Sequence, residues 1–572
     1  MDGPTPARRP PRLGIERQPP SLIEAGRKRP LLTVLASHTA RVRSRHILFL
    51  SLLRSLGTAV VAALLAVPFA AAWGIGHAEV TDYLGPHQVR FASNYSGEVR
   101  IDLGPFGNAY LPSPAAPLGV AATIGGVGSA TSSFSERTLT AYVSLYEDPQ
   151  LAVEAIVDRL KLDVVVEVVK VEFVLLLAFA IWRLRSQLLS PWVAQSLTRR
   201  RTAALYLSVL LLLAGSVLAP PKQQGTRISV TAAAGTRFAS VTVDSRVLAN
   251  LLNRSVRGVT VLSARQQKVV RDYIDTSVAD LSQQIDQLPQ ARPGESLLLG
   301  FSDLHCNRAM TELVGRLVQV TQPRLVLSSG DDTVNGTAVE KDCVRRESDM
   351  VPDVPLLVAS GNHDSDVTEA QQRAEGMVVL DGGAVDAAGL RVLGDDDPQR
   401  NLPFSVDRTA ERAESLEQMA DRLLDVAQNQ PVDVLVAHQP TATAATLNTP
   451  NPPARLILWG HTHSEDGPVV SYHDDGSWSV GMQQATAGGV RQPTITSFST
   501  PFSPPLINAD VYFYFRDDAT GLITGVQPVR FTPDAQVVID ERIPTGELGA
   551  LPLSTRIRLG GANPAPTPET SR

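Results

Sequence analysis

Leu297-Leu298-Leu299-Gly300-Phe301-Ser302-Asp303-Leu304-His305 is an uncharged apolar run that ends in a carboxylate and an imidazole two residues apart. The same design recurs four times downstream. Leu325-Val326-Leu327-Ser328-Ser329 leads into Gly330-Asp331-Asp332, and Leu356-Leu357-Val358-Ala359-Ser360 into Gly361-Asn362-His363-Asp364. Val434-Leu435-Val436-Ala437 leads into His438-Gln439-Pro440, and Leu456-Ile457-Leu458-Trp459 into Gly460-His461-Thr462-His463. Continuous apolar runs of this length suit strands buried on both faces. The stretch Arg308 to Val320 reads as a crossover helix between the first two. Polar residues at strand carboxyl ends are where open α/β sheets bind ligands.

Five of the ten histidines fall in these motifs, beside Asp303, Asp331 and Asn362, so the motifs form a ligand set and not scattered turns. On an extended backbone, residues two apart point the same way, so Asp303 with His305, and His461 with His463, are expected to reach one ion each. A carboxylate has two oxygens, and Asp331 is the natural bridge between two ions. Two ions about 3.5–4 Å apart suit phosphoester hydrolysis, since they bind the phosphate, lower the pKa of a water and stabilise the leaving oxygen. Mixed imidazole and carboxylate ligands favour Mn, Fe or Zn over Ca or Mg alone. Singly, each motif has a plainer explanation: a surface Asp-x-His pair, a Gly-Asp turn, or a buried structural histidine. Five in order, each closing an apolar run, exclude that explanation for the set.

At these residues, over about 295–500, the sequence resembles the calcineurin-like metallophosphoesterase superfamily. The resemblance implies a four-layer αββα sandwich with two divalent metal ions, Mn foremost and Fe or Zn as alternatives. It implies that Asp303, His305, Asp331 and His463 hold one metal, and that Asp331, Asn362, His438 and His461 hold the other. A hydroxide activated by the metals would attack phosphorus, and His363 would protonate or hold the leaving oxygen. Asp364 either orients His363 or serves a turn or helix cap. Two positions depart from the usual pattern. Val334 stands where many relatives carry a further Asp, and Ser464-Glu465-Asp466-Gly467 replaces a Gly-rich stretch after the last histidine.

Only two cysteines occur in 572 residues, which excludes a disulfide scaffold or a four-cysteine zinc module. Cys306 follows the first motif and Cys343 lies beyond the second. In an oxidising compartment a disulfide between them would tie the two metal-bearing loops together; in the cytoplasm two free thiols are expected. A nucleophilic or ligand role for Cys306 is disfavoured because the ligand set is full. Arg308 is either a phosphate contact or a solvated helix residue, and His473 reads as a surface turn.

Upstream, the chain changes character. Residues 1–46 are Pro- and Arg-rich without period and read as a disordered basic cytoplasmic tail. Ser55 to Gly76 runs 22 residues without a charge, enough to span about 30 Å of hydrocarbon, so 47–76 is assigned a first transmembrane helix. Residues 164–185 are assigned a second, interrupted by Glu167, Lys170 and Glu172, and 202–219 a third, stopped by Pro220-Pro221. Arginines 183 and 185 at the end of the second span and 199–201 in the intervening loop 186–201 make that stretch basic, so that loop and the tail are expected inside. Residues 77–163, with alternations such as Gln88-Val89-Arg90-Phe91, are then a small β-rich extracytoplasmic module. The β-like stretch 226–262 joins the same layer. Val270, Ile274, Val278, Leu281, Ile285 and Leu288 mark an amphipathic helix that packs on its own domain or forms a stalk. The connector is 220–293, the phosphoesterase domain 294–545 and a flexible tail 546–572.

Net charge −6 gives no support for nucleic-acid binding. The expected partners are a phosphoester substrate and the membrane. The expected function is an outward-facing, membrane-anchored phosphoesterase on mono- or diesters. Two alternatives stand beside it: a cytoplasm-facing nucleotide or cyclic-nucleotide hydrolase, and a non-catalytic envelope scaffold.

Overall fold

The structure, a computed structural model, describes residues 56–84, 87–113, 118–127, 149–188, 226–234, 239–401, 408–410, 412–489 and 507–546, with the isolated positions 116, 204 and 208. The tail 1–46 and the residues from 547 onward lie outside them, as does the third apolar run apart from Ala204 and Ser208.

Helix Leu56–His77 is the one described helix long and apolar enough to cross a membrane. The second apolar run is part of a longer helix, Pro149–Leu188, which begins well before the expected boundary at 164. Its charged residues keep it from passing the same test of composition. The two helices touch through Ala66, Phe69, Val171 and Leu175. Gly74 permits their closest approach, since a Cβ there would sit 2.7 Å from Val168 Cγ2 and 2.9 Å from the Val164 carbonyl. Away from this seam both helices expose apolar side chains, among them Val61, Leu64 and Leu65 on one and Val169, Phe173 and Val174 on the other.

Above the pair lies a seven-stranded sheet in the order β1-β2-β5-β3-β4-β7-β6. Its strands are β1 (Glu79–Leu84), β2 (His87–Asn94), β3 (Glu98–Asp102), β4 (Asn108–Pro112), β5 (Gly119–Val127), β6 (Ile228–Ser229) and β7 (Thr242–Val243). The alternation in β2 works as the period-two rule demands, with Val89 and Phe91 buried against Ile156 and Leu160 of helix Pro149–Leu188. Strand β7 pairs with β4, Ala109 opposite Val243, so segments before and after helix Pro149–Leu188 share one sheet. The β reading of 226–262 holds only as far as β7. From Arg246 to Gln283 the chain is one helix, capped by Ser245, whose side chain accepts from Leu248 N. Tyr273, Ile274 and Leu281 of that helix join the core of the following domain, so its later half packs on its own chain.

The C-terminal domain has two sheets. The first, eight-stranded, runs β11-β10-β9-β8-β20-β21-β22 with β23 also on β21; the second, six-stranded, runs β12-β13-β16-β17-β19-β18. The strands are β8 (Glu295–Phe301), β9 (Leu325–Ser328), β10 (Leu356–Val358), β11 (Val378–Val379), β12 (Ala384–Ala387), β13 (Leu390–Gly394), the separate hairpin β14 (Gln399–Asn401) and β15 (Arg408–Ala410), β16 (Val432–Val436), β17 (Ala454–Trp459), β18 (Asp466–Tyr472), β19 (Trp478–Gln483), β20 (Ala509–Asp517), β21 (Ile523–Phe531), β22 (Val537–Ile539) and β23 (Ile543–Pro544). Leu298, Leu327, Tyr512 and Tyr514 on one sheet meet Val434, Leu456, Leu458 and Val480 on the other. The outer face of the first sheet, with Leu299, Phe301 and Phe513, is covered by helix Arg308–Thr321 through Leu313, Val314 and Leu317. The outer face of the second, with Leu435 and Ile457, is covered by Met419 and Leu423 of helix Leu416–Asn429. Fully burying each such Leu or Phe contributes ~1.5–3 kcal/mol, so the helix–sheet–sheet–helix order follows from strands that are apolar on both faces. The five motif-bearing runs are divided between the sheets: β8, β9 and β10 in the first, β16 and β17 in the second. Their carboxyl ends meet along one edge.

Candidate metal centre

Each motif leaves its strand through a tight turn, and the backbone there is unusual. Asp303, His305, Cys306, Asp331, His461 and His463 all have φ between 48° and 73°. Non-glycine residues rarely adopt this left-handed region, and strain of this kind concentrates at functional sites. The finding corrects one expectation. Asp303 with His305, and His461 with His463, do not converge by strand alternation, because β8 ends at Phe301 and β17 at Trp459. Left-handed turns aim them instead.

Two groups of ligand atoms result: Asp303 with His305 and His463, and Asp331 with His438 and His461. In the first, His463 Nε2 lies 3.1 Å from Asp303 Oδ1 and 3.2 Å from His305 Nε2. In the second, His438 Nε2 lies 3.1 Å from Asn362 Oδ1, 3.1 Å from His461 Nδ1 and 3.2 Å from Asp331 Oδ2. That same Oδ2 is 4.0 Å from His305 Nε2, so one carboxylate faces both groups, while its Oδ1 accepts the His363 N–H at 2.7 Å. The donor set fits cations. Asp303 Oδ1 is fully buried and accepts no hydrogen bond, and imidazole nitrogens crowd together around it. Asp303, His305, Asp331 and His463 would hold one ion, and Asp331, Asn362, His438 and His461 the other.

Charge and burial pull against each other here. Burial disfavours the ionised Asp331, yet the imidazoles of His438 and His363 outweigh it and hold the carboxyl well below its usual range. Burial likewise works against protonated His438, but Asp331 and Asp303 push it up to about 10. At His305 burial wins and drives the ring down to about 3. Behind the site, burial and then the neighbouring Asp364 charge push Asp332 up to about 8.

The surrounding shell was only partly legible. His305 Nδ1 faces the Thr333 carbonyl at 3.3 Å, and His438 Nδ1 faces the Ser329 carbonyl at 2.8 Å. Such contacts fix which nitrogen is left for a metal. His363 Nδ1 faces the Val334 carbonyl at 2.7 Å, and its Nε2 is 2.9 Å from Asn401 Nδ2. Asp364 does not orient His363. Its carboxylate accepts from Gly361 N and Thr333 N, each at 2.9 Å, so it ties the third motif to the second. Val334 contributes its carbonyl to the site, and Asn401 reaches it from a hairpin without any sequence signal. Cys306 and Cys343 are joined by a disulfide across 37 residues. Arg308 opens helix Arg308–Thr321. His473 sits in the β18–β19 turn with Nε2 2.9 Å from Ser479 Oγ, outside both ligand groups.

Residues 297–465 match the calcineurin-like phosphoesterase family. No curated protein matches the chain in sequence. Among solved structures, the chain is similar to the NAD nucleotidase of Haemophilus influenzae, at 13% identity over 45% of this chain and 50% of that one, with a TM-score of 0.27. The chain thus spans about half the length of that relative. It is also similar to a phosphoesterase from E. coli, at 14% identity over 44% of this chain and all of that one, with a TM-score of 0.21. A metallophosphoesterase from Sphaerobacter thermophilus is 18% identical over 47% of this chain and all of that one, with a TM-score of 0.16. The family match covers all five motifs, so residues 297–465 are similar to a calcineurin-like phosphoesterase domain.

Proposed function

We propose that the chain is a membrane-anchored phosphoesterase with two divalent ions, foremost Mn, whose catalytic domain faces the outer side of the membrane. The observation that carries the catalytic part is the meeting of two ligand groups at Asp331 Oδ2. When bound, two ions at such a site neutralise the phosphate and supply a nucleophilic water at neutral pH. The chain's own residues do the rest. Asp331 draws the two ligand groups together, the Val334 carbonyl holds the His363 ring, and His363 Nε2, beside Asn401 Nδ2 at 2.9 Å, is the ring nitrogen that would serve the leaving oxygen.

The orientation is supported by sheet pairing. Strands β5 and β6 belong to one sheet, which supports an even number of bilayer crossings between residues 127 and 228. The side occupied by the catalytic domain then depends on helix Leu56–His77 alone, whatever the Pro149–Leu188 helix does. The ten basic residues at 8, 9, 12, 17, 27–29, 41, 43 and 45 favour retention of the preceding tail inside. The disulfide agrees with an oxidising compartment. The substrate class supported is a phosphate mono- or diester of the envelope or outside medium.

The test uses the full chain in detergent, loaded with Mn, on an aryl phosphate monoester and diester side by side. Metal-dependent hydrolysis that Asp331→Asn abolishes, with two ions per chain in the wild type, is the expected result. A folded chain that binds no metal would remove the catalytic reading. A reporter fused after residue 572 that is active only in the cytoplasm would overturn the orientation.

A further inference from the structure

One contact joins the membrane-proximal module to the catalytic domain at a sensitive place. Val339 packs on the cluster of Val89, Phe91, Ala122, Ile156 and Leu160, and among the described residues it is that cluster's one member from the C-terminal domain. The turn Ala338–Glu340 rests on helix Pro149–Leu188 and on β1, and helix Lys341–Asp349 rests on the same long helix. Lys341 Nζ lies 3.8 Å from Asp158 Oδ2 at the edge of this contact.

The segment held there leads straight into the metal centre. Glu340, next to Val339, accepts from the backbone N–H of Val334 at 3.0 Å, Asn335 at 3.1 Å and Thr337 at 2.8 Å. Its carboxylate thereby closes residues 334–340 into one unit. The Val334 carbonyl at the head of that unit faces His363 Nδ1 at 2.7 Å, and the Thr333 carbonyl, one residue before it and also tied by Asp364, faces His305 Nδ1 at 3.3 Å. A ring nitrogen facing a carbonyl must donate, which leaves Nε2 of His305 for the metal and makes Nε2 of His363 the acceptor that Asn401 Nδ2 faces at 2.9 Å. Within the catalytic domain the middle of the unit is also tied, by Ser365 Oγ and Arg400 donating to the Gly336 carbonyl. Its outer end is held from both sides, by the module at Val339 and within the catalytic domain by Gln371 Nε2, which donates to the Ala338 carbonyl at 3.0 Å.

We infer that the β-module and helix Pro149–Leu188 are a positioning element of the active site, with Val339 as the positioning residue through which they set the rings of His305 and His363. The inference rests on the phosphoesterase reading of those rings, and it makes the N-terminal half more than an anchor. Outer contacts of this kind commonly change metal affinity or activity by about 10–100-fold.

The test compares wild type, Val339→Asp, Val339→Ile and Ile156→Asp as full-length protein in detergent, each first checked for a cooperative melt. Ile156→Asp disrupts the contact from the opposite side, so the test survives if one variant misfolds. Two readouts are taken: kcat and KM on an aryl phosphodiester, and a Co(II) titration followed by its visible absorption. Expected are a kcat lower by about 10–100-fold at unchanged KM, a weakened Co(II) step with an altered band shape, and recovery of both in Val339→Ile. Folded Asp variants that match wild type in both readouts would overturn the inference. If wild type binds Co(II) but hydrolyses nothing, the phosphoesterase reading fails, and the Co(II) spectra alone decide the positioning role.

Discussion

Replacing Gly361 by Ala should disable the centre without unfolding the domain. A Cβ at 361 would lie 2.3 Å from Asp331 Oδ1, 2.5 Å from Asp331 N and 2.9 Å from Asp331 Cγ. Ordinary contact begins near 3.5 Å, so Asp331 must retreat by about 1 Å. Asp331 belongs to the second ligand group, its Oδ2 lies 4.0 Å from His305 Nε2 of the first, and its Oδ1 accepts the His363 N–H. A displacement of about 1 Å at a reacting centre costs about 10²-fold in rate, while overpacking one methyl costs ~1–3 kcal/mol of stability. The expected result is a folded protein with a moderately lower Tm, kcat/KM down about 10²-fold, and bound Mn reduced as measured by plasma mass spectrometry. Gly383→Ala is the matched control, because the nearest atom to its Cβ would be Asp381 Oδ1 at 3.7 Å. Gly361→Ala with wild-type kcat/KM and full metal content would refute the argument that Gly361 keeps the space Asp331 occupies.

Three further outcomes are expected. Cys306→Ser with Cys343→Ser opens a 37-residue loop and should cost ~3–4 kcal/mol in the chain-entropy model, seen as a lower denaturation midpoint that reductant no longer shifts. Glu295 is held down to about 2, first by hydrogen bonds from Arg542 and against opposing burial. Its folded value lies below its ordinary 4.5, so the stability it adds is complete above that pH and is lost as pH falls towards 2. The Tm deficit of Glu295→Gln, present at pH 7, should therefore close across that window in thermal melts. Trp478 donates from Nε1 to the Ile523 carbonyl at 2.7 Å, joining the two sheets from full burial. Trp478→Phe removes one of that carbonyl's two donors, Thr545 Oγ1 remaining at 2.6 Å, and should cost ~0.5–1.5 kcal/mol, with kcat at low temperature unchanged; a Tm equal to wild type would contradict the accounting.

The motifs were legible because their chemistry and their strand context are both local. An apolar run followed by Asp, His or Asn at a strand end needs no tertiary knowledge, and the crossover helix expected at 308–320 is observed as Arg308–Thr321. Local pattern failed where neighbours override it. The stretch 246–262 reads as β but is helical, because one face of helix Arg246–Gln283 finds cover on the sheet and on the catalytic core. The turn geometry at Asp303 and His305 was missed because extended-chain alternation applies only inside a strand, and both residues lie just past β8.

From the sequence alone came the residue types, their order, and the sense that two ions share Asp331, since ligand chemistry resides in side chains and survives any arrangement that gathers them. Only the tertiary structure decided that three motif strands belong to one sheet and two to the other, because strands apolar on both faces carry no mark of which neighbour they choose. It also decided that Asp364 braces Thr333 instead of His363, and that Asn401 and Val339 matter at all. Those are contacts between residues tens or hundreds of positions apart, made when apolar faces pack and the polar groups caught between them must find partners.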